Sequence, residues 1–507
     1  MKNKLLVFFV AVLSLLTACT GDFEEINTPP TSPASVPAEL VLSRVQYRSV
    51  REKGNSWTNQ ILQWGSWVQH YGNGNQGFNT AHYVDNPQYT EDFWNFLYET
   101  LIDCRKGIEL VNEQDEGNVA QQKIAIFTII EILNWITLTD VLGDVPYTEA
   151  LQGADELTPA YDTQEAIYTD LISRLETAAG DINPSDGAFF GEADLFFQGD
   201  PEKWVKFANA LRLRVGLRLS KVDAGTAQSV VSSAMGASLP SSNDDDAILP
   251  TIGGGPFTDF HRAAELLVRA PNDAPYIGEA LVNTMLANDD PRLPIIAAPT
   301  PNSVAGGGAL EYRGVGPGLT DAQYAEVNAN QGDFSRPNGD AYFSETTERG
   351  QTSLSYAEVS FAKAEAALRG WGGSEEDAQR FFEEGIRAAL SRTEFPQFGI
   401  TQDQIDAYVA ANGTLDGSFE EKLEQIMTEK WIALAFDQED EAYSEWRRTE
   451  YPVLDPGDNT TGDSNGEIPR RMLYSPLEPT LNTESYNAAV SRIGGDTYTN
   501  RVWWDVD

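Results

Sequence analysis

The three histidines, His70, His82 and His261, are the first residues to ask for catalysis. None stands in a His-x-x-x-His or His-Glu-x-x-His spacing that would bring two imidazoles to one metal. No phosphate-cradling glycine loop occurs, and the one Gly-x-Ser-x-Gly, Gly462 to Gly466, sits inside an acidic loop rather than between a strand and a helix, so no zinc hydrolase, serine nucleophile or nucleotide loop is signalled. With 77 Asp and Glu, carboxylate pairs at every glycosidase spacing arise by chance and identify nothing. Acidic runs at Asp244-Asp245-Asp246 and from Asp455 to Glu467 offer oxygen ligands, but neither has EF-hand spacing, and both read as solvated loops. Neither an enzyme nor a bound cofactor is expected.

Aromatic residues beside polar ones are the remaining chemistry. A pyranose has apolar faces and a rim of hydroxyls, so its site needs a flat ring next to side chains that donate and accept in pairs. The stretch after the second helix has that mixture in Trp67, His70, Tyr71, Asn73, Asn75, Phe78 and Tyr89. A second set lies further on, in Phe257, Phe260, His261, Arg262, Tyr342 and Phe343. For any one aromatic, core packing competes with ligand contact. Trp64 belongs to an apolar stripe and is expected in the core, whereas Trp67 lies off it and is expected to matter more for binding.

Charge narrows the partner. A formal net charge of −42 over 507 residues repels nucleic acid, anionic lipid and polyanionic polymers, and leaves neutral ligands or cations. Two cysteines rule out a disulfide framework. Cys104 repeats at helical spacing with Leu97, Leu101 and Ile108, the pattern of a buried small hydrophobe. Cys19 ends Leu16-Thr17-Ala18-Cys19, after Lys2, Lys4 and an apolar run from Leu5 to Leu16: a signal peptide over 1–18, closing in what resembles a bacterial lipobox. Residues 19–37 then read as a lipidated cysteine and a flexible, Pro-rich tether, with membrane attachment through the acyl chains.

The elements that must position these groups are helical. Apolar residues recur at helical spacing over Ala38–Lys53, Ser56–Tyr71, Asp92–Val111, Thr163–Ala179, Leu354–Arg369, Glu375–Ser391, Phe419–Phe436 and Glu439–Thr449. Gln121–Leu142 is apolar on several faces and is expected as a buried core helix, since Glu131, Asn134 and Asp140 would each be costly in a bilayer. Gly143 and Pro146 end it. In Pro201–Leu219, Trp204, Phe207, Leu211 and Val215 are expected inward, with Arg212, Arg214 and Arg218 outward. Residues 241–351 form a Gly- and Pro-rich excursion inside a single domain, 38–507. Tyr356 to Ile386 approximates the small-and-large alternation of a tetratricopeptide unit.

Three segments add up. Asn134-Trp135-Ile136-Thr137-Leu138-Thr139-Asp140 with Gly143-Asp144-Val145-Pro146-Tyr147 comes first. Gly199-Asp200 with Lys203-Trp204 and Phe207 follows, then Glu429-Lys430-Trp431 with Glu441 and Trp446-Arg447-Arg448-Thr449. With Pro469-Arg470-Arg471 and the final Trp503-Trp504, they resemble the SusD/RagB family, closest to its SusD-like outer-membrane nutrient-uptake lipoproteins. The resemblance implies a mainly α fold of tetratricopeptide-like helix pairs with a large loop-rich ligand-binding face. It further implies oligosaccharide or polysaccharide capture at the cell surface and a SusC-like TonB-dependent outer-membrane transporter as partner. Asp140, Gly143, Asp144, Trp204 and Trp446 would hold helices together. The charge favours a neutral glycan, such as a β-glucan. Peptide capture, as on the RagB side of the family, and a surface glycoside hydrolase are the alternatives.

Overall fold

The computed structural model describes residues 36–506 apart from 52, 54–55, 75–78, 188, 252–274, 343–349, 393–398 and 459–461. The chain is mainly α. Helices α1 (Ala38–Val50), α2 (Pro87–Gln114), α3 (Gly117–Leu142), α4 (Gln164–Asp181), α5 (Pro201–Arg218) and α6 (Ala224–Met235) pack each against the next. After the excursion, with its short helices α7 (Glu279–Ala287) and α8 (Asp321–Ala329), come α9 (Tyr356–Leu368), α10 (Glu375–Leu390), α11 (Gln402–Asn412), α12 (Phe419–Leu434), α13 (Glu439–Thr449) and α14 (Thr483–Ile493). Glycines close two of the tetratricopeptide-like pairs: a Cβ on Gly107 would lie 2.2 Å from the Phe127 ring, and one on Gly385 would lie 2.6 Å from Phe361. No larger residue fits at either crossing.

Helix α3 is long and apolar enough to cross a membrane, but it is enclosed by protein. Glu131, Asn134 and Asp140 within it are buried and paired, as buried charge requires. Glu131 accepts from Arg105 at 2.7 Å and Arg174 at 2.5 Å, and Asn134 donates to Ser49 at 2.7 Å. Asp140 accepts from Trp504 at 2.9 Å and from Tyr168. Gly143, at φ 83°, ends the helix in a conformation that disfavours any side chain. Asp144 then accepts from the backbone of Gln164 (2.9 Å) and from Arg492 (2.8 Å). Trp204 donates to Asp194 at 2.7 Å, and Trp446 is buried under Arg470. These residues do hold elements together.

Two expectations are corrected. Arg212, Arg214 and Arg218 do not face outward: all three are buried, because α5 is covered by α4, α6, α9 and the segment of α13 around Glu441. Arg214 makes a two-pronged pair with Glu358 at 2.8 Å, and Arg218 binds Glu441 at 2.6 Å and also Glu445. The second correction concerns Ser56–Tyr71. Ser56–Gly65 is π-helical, and its i→i+5 register turns successive side chains away from the α-helical stripe. Trp64 and Trp67 are both fully buried.

Helices α6, α11 and α14 were not anticipated in the sequence. The Asp244–Asp246 loop is tied to protein donors, Asp245 taking Lys206 at 3.1 Å and Asp246 the backbone of Tyr356 at 2.6 Å.

Candidate functional site

Four of the expected sugar-binding residues belong to the interior. Trp67 packs between Tyr443 and Tyr498, ring centroids 5.3 and 5.6 Å away, and its indole N–H donates to the carbonyl of Thr80 at 3.3 Å. Its two faces are taken, so it has none to offer a pyranose. His70 is fully buried, with Nε2 donating to the Trp431 carbonyl at 3.0 Å and Nδ1 without a partner. Burial lowers its pKa to about 3 even though the Trp431 bond opposes this, so the imidazole is neutral. Tyr71 lies 4.7 Å from Phe436 and Asn73 is buried. Tyr89 is half-buried against the main core, which raises its phenol pKa. Asn75, Phe78, Phe257, Phe260, His261, Arg262 and Phe343 lie outside the described residues, as do Cys19 and the side chain of Tyr342. Cys104 is buried as expected.

The two stretches that hold these residues are nevertheless brought together. Tyr71 and Gly72 pair antiparallel with Ile277 and Tyr276, and Gly278 N donates to the His70 carbonyl at 2.9 Å. A Cβ on Gly72 would sit 2.2 Å from the Val315 carbonyl, so glycine is what lets the excursion dock there. Beyond the ladder, Tyr276, Val315, Leu319, Tyr324, Val327 and Phe334 form a small hydrophobic cluster of their own. His82 stacks 4.7 Å from Tyr324, and Gln323 donates to Asp458 at 2.9 Å. The ends at Gly72, Tyr276 and Asp458 are therefore anchored around one satellite core, while the strand before residue 252 pairs with Gln351–Leu354 on the main core.

On its outer side the excursion opens a cleft of about 760 Å³, within the range for small-molecule sites of roughly 300–1,000 Å³. Thr300 N donates to the Glu311 carbonyl at 2.8 Å, closing the segment around the short helix Pro301–Gly306. Asn302 Nδ2 donates to Asp333 Oδ1 at 2.7 Å across the opening. The Arg313 guanidinium lies 4.6 Å over the Phe334 ring, and the Arg313 and Ser335 backbones are joined through a 2.7 Å bond from Ser335 N. Tyr312 also lines the cleft, half-buried with part of its ring against the main core, and burial raises its phenol pKa. Leu286 and Leu310 stand at the rim, 45% and 58% exposed.

An aromatic ring, a stacked guanidinium, an amide–carboxylate pair and exposed aliphatic surface in one cleft can grip a molecule with both apolar faces and hydroxyls. Sequence reasoning missed Tyr312 and Arg313. Their signal was Leu-Glu-Tyr-Arg between two glycine-rich runs, an aromatic–basic pair in a loop.

Comparison with known proteins identifies the fold and the family. No match was found among curated proteins. A chitin-binding protein of known structure is 28% identical, with a TM-score of 0.80, over 93% of this chain and 100% of that one. A SusD-like protein from Bacteroidetes is 25% identical, with a TM-score of 0.78 and the same coverage. A chitin-binding SusD homologue from Flavobacterium johnsoniae, 24% identical with a TM-score of 0.76 over 93% and 99% of the two chains, shares the fold. The family described as starch-binding proteins associating with the outer membrane matches residues 30–475, and the chain belongs to that SusD-like family.

Proposed function

We propose that this chain is a cell-surface lipoprotein that captures a neutral oligosaccharide or polysaccharide in the excursion cleft, without cleaving it. It then delivers the glycan to a SusC-like TonB-dependent transporter. The cleft of Tyr312, Arg313, Asn302 and Asp333 carries the reading, because it joins flat surfaces to paired donors and acceptors. The charge of −42 adds to it, since a polyanionic polymer would be repelled. Cys19 is the proposed lipid anchor. Asn75, Phe78, Tyr89, Phe260, His261, Arg262 and Tyr342 are proposed as further contacts, since the chain just before 75–78 and the chain just after 252–274 pair with each other beside the satellite core.

Two identities for the glycan are supported. A β-glucan suits the charge. A β-linked N-acetylated glycan of the chitin type is favoured by the 28% identical chitin-binding structure, and Leu286 and Leu310 give an acetyl methyl an apolar rim to rest on. Native affinity gels with both polymers, alongside a reducing-end assay, test the proposal. Retardation by one of them without new reducing ends is expected. Unretarded migration on every neutral polysaccharide, or release of reducing ends, would overturn it.

A further inference from the structure

A second cavity, of about 330 Å³, lies where the end of α3 meets the start of α4 and the carboxy-terminal tail. It shares no residue with the excursion cleft. Trp503 forms one wall and Arg492, Arg501, Gln164 and Glu165 the others. Its frame is rigid: Arg492 donates to Asp144 at 2.8 Å and to the Tyr161 carbonyl at 3.0 Å, and Arg471, behind it, donates to the Leu142 carbonyl at 3.1 Å and to Asp496 at 2.6 Å.

The two adjacent tryptophans are used differently. Trp504 is fully buried and spends its indole N–H on Asp140. Trp503 is half-buried, lies 6.2 Å from Tyr168 at one edge, and its indole N–H has no partner among the described residues. One part of the Trp503 indole packs against the main core, and the rest of it faces the cavity.

Charge decides between ligand classes. Three guanidiniums around one cavity suggest an anion at first, but each already has a carboxylate: Asp496 for Arg471, Asp144 for Arg492 and Asp505 for Arg501. Glu165 adds a further negative group at the mouth. With no surplus positive charge an anion gains little here. Guanidinium–carboxylate pairs do present planar donors and acceptors at the spacing of adjacent hydroxyls, and beside an open indole they match a sugar.

We propose that this cavity is a second saccharide-binding site, taking one or two neutral sugar units, so that a polysaccharide is held at two points on the same chain. The ligand class rests on the glycan reading above; the site itself does not depend on the excursion cleft. Two linked contacts raise the affinity for a polymer far more than for a short oligomer, by about 100-fold or more when both can be reached.

The test is titration calorimetry on the purified full chain with gluco- and chito-oligosaccharides of three to six units and with the matching soluble polymers. Two sites per chain are expected. Trp503→Ala removes one of them, leaves the other within twofold in Kd, and lowers polymer affinity at least tenfold; Tyr312→Ala removes the other. Because loss of an indole can unsettle the tail, Glu165→Arg, an exposed change at the cavity mouth, is measured in parallel and is expected to remove the same site with an unchanged melting temperature. Wild-type stoichiometry in both the Trp503 and Glu165 variants overturns the proposal, whatever the Tyr312 variant does. A single site in the wild type that only Tyr312→Ala removes overturns it as well.

Discussion

Arg448 and Glu365 meet as a two-pronged pair, at 2.7 and 2.6 Å, with both side chains sealed from solvent. The pair joins α13 to α9. Along the same face of α13, Glu445 and Glu441 hold Arg218 of α5, and Glu445 also takes Lys430 of α12 at 3.0 Å and Arg448 itself at 2.8 Å. Burial alone would raise the Glu445 pKa, but Arg448, Lys430 and Arg218 together hold it well below the usual carboxylate range. The scaffold beneath the loop face is thus riveted by charge as well as by apolar packing.

Removing Arg448 leaves the buried Glu365 carboxylate with Arg369, at 2.8 Å, in place of two guanidiniums. Arg448→Met is expected to cost about 3–5 kcal/mol in urea unfolding. Adding Glu365→Leu to it is expected to recover at least half of that loss, because the stranded carboxylate is then gone. A double variant no more stable than Arg448→Met would show that the pair does not carry the effect.

His70 gives the fold a pH dependence with a definite sign. Its folded pKa, about 3, lies below the ordinary value of 6.5, so the unfolded chain binds a proton that the native chain refuses. The stability this group contributes is complete above pH 6.5 and falls as pH drops towards 3. Between pH 7 and pH 5 the loss is about 2 kcal/mol at one proton and 1.36 kcal/mol per pKa unit. His70→Gln is expected to flatten the unfolding free energy over that interval, which lies above the titration of ordinary carboxylates. An unchanged slope would mean that other groups set it.

How far the sequence could be read depended on where each partner lies. Helix α13 appears with the bounds expected from its pattern, and α3 is the buried core helix that its all-round apolar character implied. The pattern of α5 marks the helix, yet its periodicity puts the arginines on the solvent side, where the structure buries them. Glu358, Glu441 and Glu445 stand 144, 223 and 227 positions away from the arginines they bind, and helical periodicity carries no trace of such partners. Helix α6, AGTAQSVVSSAM, is built from small residues whose stripe is too faint to see. The excursion cleft was hidden for a related reason: Thr300 meeting Glu311 and Asn302 meeting Asp333 create it, and neither contact is a motif.

Trp67 separates core from ligand roles. With its ring fully buried, Trp67→Ala is expected to lower stability by about 3–5 kcal/mol, as large aromatic truncations do, and to leave glycan affinity unchanged in the folded fraction. Thermal melts and calorimetry on the same sample check both halves. Weakened binding at full stability would return the residue to the ligand site.

The central claim is that the excursion cleft grips a neutral glycan, and Tyr312→Ala tests it most directly. Calorimetry with the oligosaccharide that retards the wild-type chain on affinity gels should show at least a tenfold rise in Kd at one site, consistent with roughly 0.5–1.5 kcal/mol of ring contact beyond buried area together with that area itself. The melting temperature should stay the same, since Tyr312 is only half-buried. Wild-type affinity at every site in a folded Tyr312→Ala variant would contradict the account.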